Sequence, residues 1–140
     1  MLKKFYVSSR FANVERVRKV STKLIKIGCI QTYDWTKIES VTSIKQLEKI
    51  GNEEFQGIQK ANFLVLLTPA GKSSYIEMGI ALASNVRVYV HSFDDTLLSL
   101  EETSSFYQLA NVRVVVGDLD FLVDYIVQDQ RNSSTFETEG

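Results

Sequence analysis

A single glutamate, Glu77, interrupts an apolar stretch whose composition predicts a helix packed against a sheet. Residues 68–83 read TPAGKSSYIEMGIALA and follow the apolar run NFLVLLT. Burying a carboxylate costs several kcal/mol unless it is paired or faces a cleft. Two interpretations follow. Glu77 either lies on the outer face and interacts with the helix dipole, or it faces a cleft, where it could attack a sugar anomeric carbon as in retaining glycoside chemistry.

Glu54 and Tyr6 are the other candidate catalytic residues. Glu54 lies late in a predicted helix, on the same face as Ile50 and Ile58, so we expect it to be partly shielded. A carboxyl group there could act as an acid/base within reach of a leaving group. Tyr6 shares a strand face with Ser8 by the period-two rule and could bond a carboxylate or a sugar hydroxyl. A core tyrosine is the alternative.

Polar side chains follow three of the predicted strands and form the candidate substrate-binding set. Backbone N–H groups, serine hydroxyls and a helix dipole together favour an anion, and an aromatic ring can stack on a base. Ordinary capping loops and a packing tryptophan are the alternatives. Neither a GxGxxG nor a Walker A motif is present. The candidates are Ser8, Ser9, Arg10, Asp34, Trp35, Gly71, Ser73 and Ser74.

Composition indicates an ordinary globular protein. The chain has 140 residues, 44% of them hydrophobic and 24% charged, with a net charge of −1. We therefore expect no nucleic-acid partner and no membrane association. The single cysteine, Cys29, and the lack of a signal-like N-terminus favour the cytoplasm. The only histidine, His91, has no companion ligand, so we expect no metal site.

Alternating strand and helix patterns predict a parallel sheet covered by helices on both faces. We expect a flavodoxin-like, Rossmann-like three-layer α/β sandwich with five parallel strands in the order 2-1-3-4-5. Residues 94–109 are ambiguous and are interpreted as a loop with a short helix. The predicted strands are 3–8, 30–34, 62–68, 86–91 and 112–116, and the predicted helices are 13–27, 43–61, 73–83 and 119–127.

The predicted domain spans residues 1–127, and residues 128–140 lack periodicity and are interpreted as a flexible tail. In an open parallel sheet, ligands bind beyond the carboxyl ends of the strands at the switch point. For this strand order the switch point lies between strands 1 and 3. The candidate residues concentrate there.

Three segments resemble the nucleoside 2-deoxyribosyltransferase family, whose superfamily includes deoxynucleoside 5′-monophosphate N-glycosidases. The segments are KFYVSSRF, EEFQGIQKANFLVLLTP and SSYIEMGIALA, within residues 3–91. The resemblance, which extends to small bacterial members, implies a flavodoxin-like fold, a nucleophile at Glu77, an acidic residue at Glu54 and a tyrosine at Tyr6. It also implies substrate-binding loops at 8–10 and 71–74, a nucleoside or nucleotide substrate, no metal or organic cofactor, and a homodimer or higher oligomer.

Some positions depart from the family pattern. Glu54 stands where aspartate is usual, and Gly71 stands where the transferases have an aspartate that reads the base. The serine-rich loops instead favour a phosphorylated substrate. The stretch PAGKSSYIE is also similar to the PGGxGTxxE of nucleotide phosphoribohydrolases, which likewise cleave an N-glycosidic bond. A non-catalytic nucleotide-binding or interaction module on the same fold is the alternative from another class.

Overall fold

Five parallel strands form one sheet in the order β2-β1-β3-β4-β5, as predicted. The computed structural model describes the backbone of residues 3–139 and the side chains of residues 3–133. The strands are β1 (Lys4–Ser8), β2 (Ile30–Gln31), β3 (Phe63–Leu67), β4 (Arg87–Ser92) and β5 (Val112–Val116), and the α-helices are α1 (Val14–Lys26), α2 (Ile44–Lys60), α3 (Lys72–Ala83) and α4 (Leu119–Glu139).

Each sheet face is covered by two helices because successive strand residues point to opposite faces. On β1, Phe5 and Val7 pack with residues of α1 and α4. Tyr6 lies on the other face, in a cluster that includes Ile58 of α2 and Met78 of α3. The three central strands carry almost continuous apolar sequence since both of their faces are buried.

The helix ends follow local sequence signals. The Ser43 hydroxyl accepts a hydrogen bond from the Gln46 N–H at 3.1 Å, as the capping-box pattern predicts. Gly28, after α1, has φ of 102°, a conformation that favours glycine. Helix α2 runs without interruption past Gly51.

Two predicted boundaries are wrong. Strand β2 contains only Ile30–Gln31, because the chain turns away from the sheet before Asp34. Helix α4 does not end at residue 127 but continues to Glu139, so residues 128–139 are helical rather than irregular. Asp129 accepts two hydrogen bonds from Arg87, each 3.0 Å long, and Gln130 donates to the Tyr89 hydroxyl at 2.9 Å.

The segment between β4 and β5 contains two short 3-10 helices, Thr96–Leu98 and Ser105–Gln108. It lies beside α3, and together they line an apolar groove of about 780 Å³. Within residues 3–139, none of the helices combines the length and the apolar character needed to cross a lipid bilayer.

Candidate active site

Glu77 points inward from α3 toward the sheet. The residues of α3 that face the sheet are Ser74, Glu77, Met78 and Ala81, a spacing that places them on one side of a helix. Only 8% of Glu77 is exposed. The Ser8 hydroxyl donates to its Oε1 at 2.9 Å, and the Tyr6 hydroxyl donates to its Oε2. Glu77 is therefore not the surface residue of the first interpretation.

The environment of Glu77 moves its pKa toward neutrality. Burial raises the pKa of this carboxyl to about 7. The hydrogen bonds from Tyr6 and Ser8 act in the opposite direction, and the neighbouring Glu54 raises the pKa further. A carboxyl group poised in this way can exist near pH 7 either as a carboxylate or as an acid.

Tyr6 brings the second glutamate to the same place. Its hydroxyl oxygen lies 3.1 Å from Oε2 of Glu54, so both glutamates contact one phenol. Burial, followed by the charge of Glu77, raises the pKa of Tyr6 well above its usual range. The phenol therefore stays neutral and keeps its proton to donate. The three candidate catalytic residues, from β1, α2 and α3, meet at one point.

Gly57 allows α2 to reach this point. A Cβ atom at Gly57 would lie 2.9 Å from Cβ of Tyr33 and 3.6 Å from the Tyr6 ring. Gly57 is one turn after Glu54, so its close approach to the strands also brings Glu54 to the Tyr6 hydroxyl. Gly79 of α3 has no such role, because it is exposed and a Cβ atom there would meet nothing within 4 Å.

A cleft of about 480 Å³ opens above the glutamates at the carboxyl ends of β1 and β3. Its walls come from the loops after β1 and β3, from α2, and from the segment after β2. The lining includes six of the eight predicted substrate-binding residues, the two candidate glutamates, and three residues outside the predicted site, Phe11, Ile38 and Lys72. The full set is Ser9, Arg10, Phe11, Trp35, Ile38, Glu54, Gly71, Lys72, Ser73, Ser74 and Glu77.

Several serines shape the cleft through contacts inside the protein. Ser8 is fully buried in β1 and bonds Glu77, so it supports the glutamate and does not line the cleft. The Ser9 hydroxyl donates to the Leu67 carbonyl at 2.9 Å. The Ser74 hydroxyl accepts from the Gly71 N–H at 3.2 Å, so Gly71 precedes the helix as its N-cap. Ser73 is exposed at the rim.

Asn13 is a structural residue of the site that sequence reasoning missed. Its amide donates to the Ser9 hydroxyl at 2.9 Å and to the Pro69 carbonyl at 2.7 Å. It thereby ties the loop after β1 to the loop after β3. Its position before a helix offers only a capping signal, which does not indicate this contact.

Asp34 and Trp35 are neighbours in sequence, but only Trp35 lines the cleft. The Asp34 carboxylate accepts from the Thr36 N–H at 3.0 Å and caps the 3-10 helix Trp35–Lys37. It is not part of the cleft lining, so the expectation that it contacts substrate is not supported. Trp35 does line the cleft, and its indole N–H donates to the Val7 carbonyl at 2.8 Å, which fixes the ring.

Comparisons with known proteins identify related folds. Neither a protein-family model nor a curated protein matches this sequence. The chain is similar to the structure of the Clostridium botulinum CMP N-glycosidase BcmB, with a TM-score of 0.58 and 11% identity over 89% of this chain and 98% of that one. It is also similar to a conserved protein from Enterococcus faecalis V583, with a TM-score of 0.62 and 15% identity over 92% and 99%. The chain therefore shares the fold of these two structures, and this fold is the flavodoxin-like one that the sequence resemblance implied.

Proposed function

We propose that this protein cleaves, or transfers across, the N-glycosidic bond of a nucleoside or its 5′-monophosphate. The observation that carries the proposal is the buried Glu77 carboxyl at the base of the cleft, held by Tyr6 and Ser8 with Glu54 alongside. The CMP N-glycosidase of the same fold supports this reaction class. Glu77 is the nucleophile that attacks C1′, and Glu54 is the acid/base that serves the leaving base.

The separation of the two carboxyl groups favours a covalent intermediate. Both groups contact the same hydroxyl oxygen, which keeps them close together. Retaining glycosidases have carboxyl groups about 5 Å apart, whereas inverting enzymes separate them by roughly 6.5–9.5 Å to admit a water molecule. A glycosyl-enzyme on Glu77, resolved by water or by a second base, follows from this arrangement.

The rim of the cleft suits a 5′-phosphate. Arg10 and Lys72 add two positive charges to the lining, and Ser73 lies in the first turn of α3. Cationic side chains and free N–H groups at a helix N-terminus attract phosphate. The Trp35 ring offers a flat surface for the base or the sugar. We therefore expect a monophosphate to be a better substrate than the corresponding nucleoside.

Base release measured by chromatography tests the proposal. The panel contains nucleosides and their 5′-monophosphates, with and without an acceptor base. We expect Glu77→Gln to reduce release at least about 1,000-fold, because the nucleophile is lost. Glu53→Gln is the matched control, since Glu53 lies beside Glu54 in sequence but outside the cleft lining and contacts Lys49. Unchanged release in Glu77→Gln would refute the mechanism. Tight binding of several nucleotides without turnover would favour the non-catalytic module.

A further inference from the structure

The Tyr6 hydroxyl contacts two carboxyl groups but carries a single proton. Its oxygen bonds Oε2 of Glu77 and lies 3.1 Å from Oε2 of Glu54. A phenol donates one hydrogen bond, and an ionised carboxylate can only accept. Both contacts are satisfied together when one glutamate is an acid that donates to the phenol oxygen and the other accepts from the phenol O–H, whereas two ionised carboxylates would leave one contact without a proton. The geometry therefore fits one negative charge shared between two glutamates.

The groups around the pair are consistent with one shared charge. Tyr6 is fully buried, and its raised pKa keeps the phenol proton in place at neutral pH. Two cations line the cleft wall, whereas the other charged or titratable neighbours are acidic or phenolic. The neighbouring groups are Arg10 after β1, Lys72 on α3, Glu53 on α2, and Tyr33, which follows β2 and whose pKa is raised by burial and by the charges of Glu53 and Glu54.

We propose that the Tyr6 hydroxyl is a switching donor that follows the negative charge between Glu77 and Glu54. The inference rests on the proposed function. In the form of the pair that reacts, the shared proton is on Glu54, so that Tyr6 donates to the Glu77 carboxylate and accepts from the Glu54 acid. When the bond from Glu77 to C1′ forms and the bond from C1′ to nitrogen breaks, the Glu54 proton passes to the leaving base. The charge then lies on Glu54, and the phenol O–H rotates toward it.

The second half-reaction reverses these changes. Glu54 takes a proton from water, the water oxygen bonds to C1′, and the ester bond to Glu77 breaks to regenerate the carboxylate. The phenol O–H rotates back to Glu77. At each stage of the cycle the Tyr6 phenol donates to whichever glutamate is negatively charged. Such a neutral donor is most effective at a site that excludes most solvent.

Carbon-13 NMR of the glutamate carboxyls in the substrate-free protein tests the shared charge. Glu54→Gln and Glu77→Gln assign the signals. In the singly charged pair, both glutamates are hydrogen-bonded to Tyr6, which stabilises this form. In the wild-type protein the two carboxyls should therefore lose their protons in well-separated steps. Tyr6→Phe should bring the steps closer by about one pH unit. Tyr33→Phe, the matched control, should leave their separation unchanged. Equal separation in Tyr6→Phe and the wild-type protein would overturn the inference.

A second readout keeps the Tyr6 side chain intact. The carbon-13 signal of the phenol Cζ should respond to both titration steps in the wild-type protein, and to a single step in Glu54→Gln. A wild-type phenol signal that follows the Glu77 step alone would show that Tyr6 serves only one glutamate. That result would overturn the inference even if Tyr6→Phe did not fold.

Kinetics separate this inference from the proposed function. Tyr6→Phe should slow base release about 100-fold in the wild-type background. The same substitution is then made in the Glu54→Gln background, with a substrate whose leaving base is activated. Because the charge cannot move to residue 54 in this background, Tyr6→Phe should slow base release by less than about threefold. An equal cost in both backgrounds would contradict the switch. Absence of base release from every substrate, with the NMR result intact, would refute the proposed function and leave the shared charge standing.

Discussion

Glu77 is a carboxyl group that the fold holds where its charge is unfavourable. It has two donors, Tyr6 and Ser8, yet burial still dominates and raises its pKa to about 7. Groups with such perturbed pKa values concentrate at functional sites because catalysis needs both protonation states near neutral pH. A purely structural glutamate at this position would be better replaced by glutamine.

We expect Glu77 to make the protein less stable as the pH rises. The folded-state pKa of about 7 exceeds the ordinary glutamate pKa of 4.5, so between these pH values the folded protein binds more protons than the unfolded chain. Stability from this group is therefore present below about pH 4.5 and is lost as the pH rises through 7, by up to about 3 kcal/mol. Urea denaturation of the wild-type protein and Glu77→Gln at pH 5 and pH 8 measures this loss.

The substitution should remove most of that pH dependence and make the variant the more stable protein at pH 8. Glu53→Gln serves as the control, since its side chain is partly exposed and pairs with Lys49 on the surface of α2. If the free energy of unfolding changed with pH by the same amount in Glu77→Gln and in the wild-type protein, burial would not disfavour the ionised Glu77 carboxyl.

At the residue scale, the sequence predicted which side chains meet at the site but not every contact that they make. Glu77 could be selected because a carboxylate in an apolar helix is unusual, whereas the choice of Glu54 and Tyr6 over structural alternatives depended on the family resemblance. The role of Ser8 as a donor to Glu77 depends on two elements 69 positions apart in sequence. Asp34 caps a turn and lies outside the cleft lining, since a short polar side chain after a strand caps a turn as readily as it binds a ligand.

At the element scale, the site depends on how closely α2 approaches the sheet. Helix α2 contacts β1 through Gly57 and Ile58, its only buried residues, while most of its first half is exposed. Its position thus depends on a few contacts near its end. Because Glu54 precedes Gly57 by one turn, any outward shift of α2 lengthens the Glu54–Tyr6 contact.

We therefore expect Gly57→Ala to weaken both the fold and the site. The added Cβ would lie 2.9 Å from Cβ of Tyr33, so α2 must move outward. Such overpacking costs about 1–3 kcal/mol, and base release should fall at least about tenfold. Gly79→Ala is the matched control on α3, where the added methyl meets nothing within 4 Å and alanine favours the helix. Equal stability and equal activity in the two variants would contradict this role of Gly57.

Element boundaries show why the prediction of the fold was incomplete. The strand order could be predicted, since alternating strands and helices with right-handed crossovers leave few topologies. The extension of α4 beyond residue 127 could not, because its segment is polar and lacks an apolar face. Asp129 and Gln130 are nevertheless anchored to Arg87 and Tyr89 of β4 by hydrogen bonds that periodicity does not reveal.

At the scale of the whole molecule, α3 has apolar side chains on both of its sides. Its inner side packs on the sheet, while Tyr75 and Ile76 are 49% and 65% exposed and Gly79 and Ala83 are also at the surface. Between residues 75 and 83 the only charged residue is the buried Glu77. A helix that is apolar all round is usually buried. We therefore expect α3 to pack against a second copy of the chain.

Ile76→Glu should disrupt this dimer. Sedimentation velocity of the wild-type protein should show a dimer, and the variant should shift toward a monomer because a charge is introduced at the interface. Ile25→Glu is the control, since Ile25 is 51% exposed on α1, which covers the opposite face of the sheet. A monomeric wild-type protein, or a dimer that persists in Ile76→Glu, would contradict the proposed interface.

The most direct test of the account is to identify the covalent intermediate. The protein is mixed with its best substrate from the panel, quenched with acid during turnover and digested, and the peptides are analysed by mass spectrometry. The account predicts a peptide that contains Glu77 and carries the mass of the sugar or sugar phosphate, and no such adduct in Glu77→Gln. Rapid base release with no adduct on Glu77, or with an adduct on another residue, would contradict the central claim that Glu77 is the nucleophile.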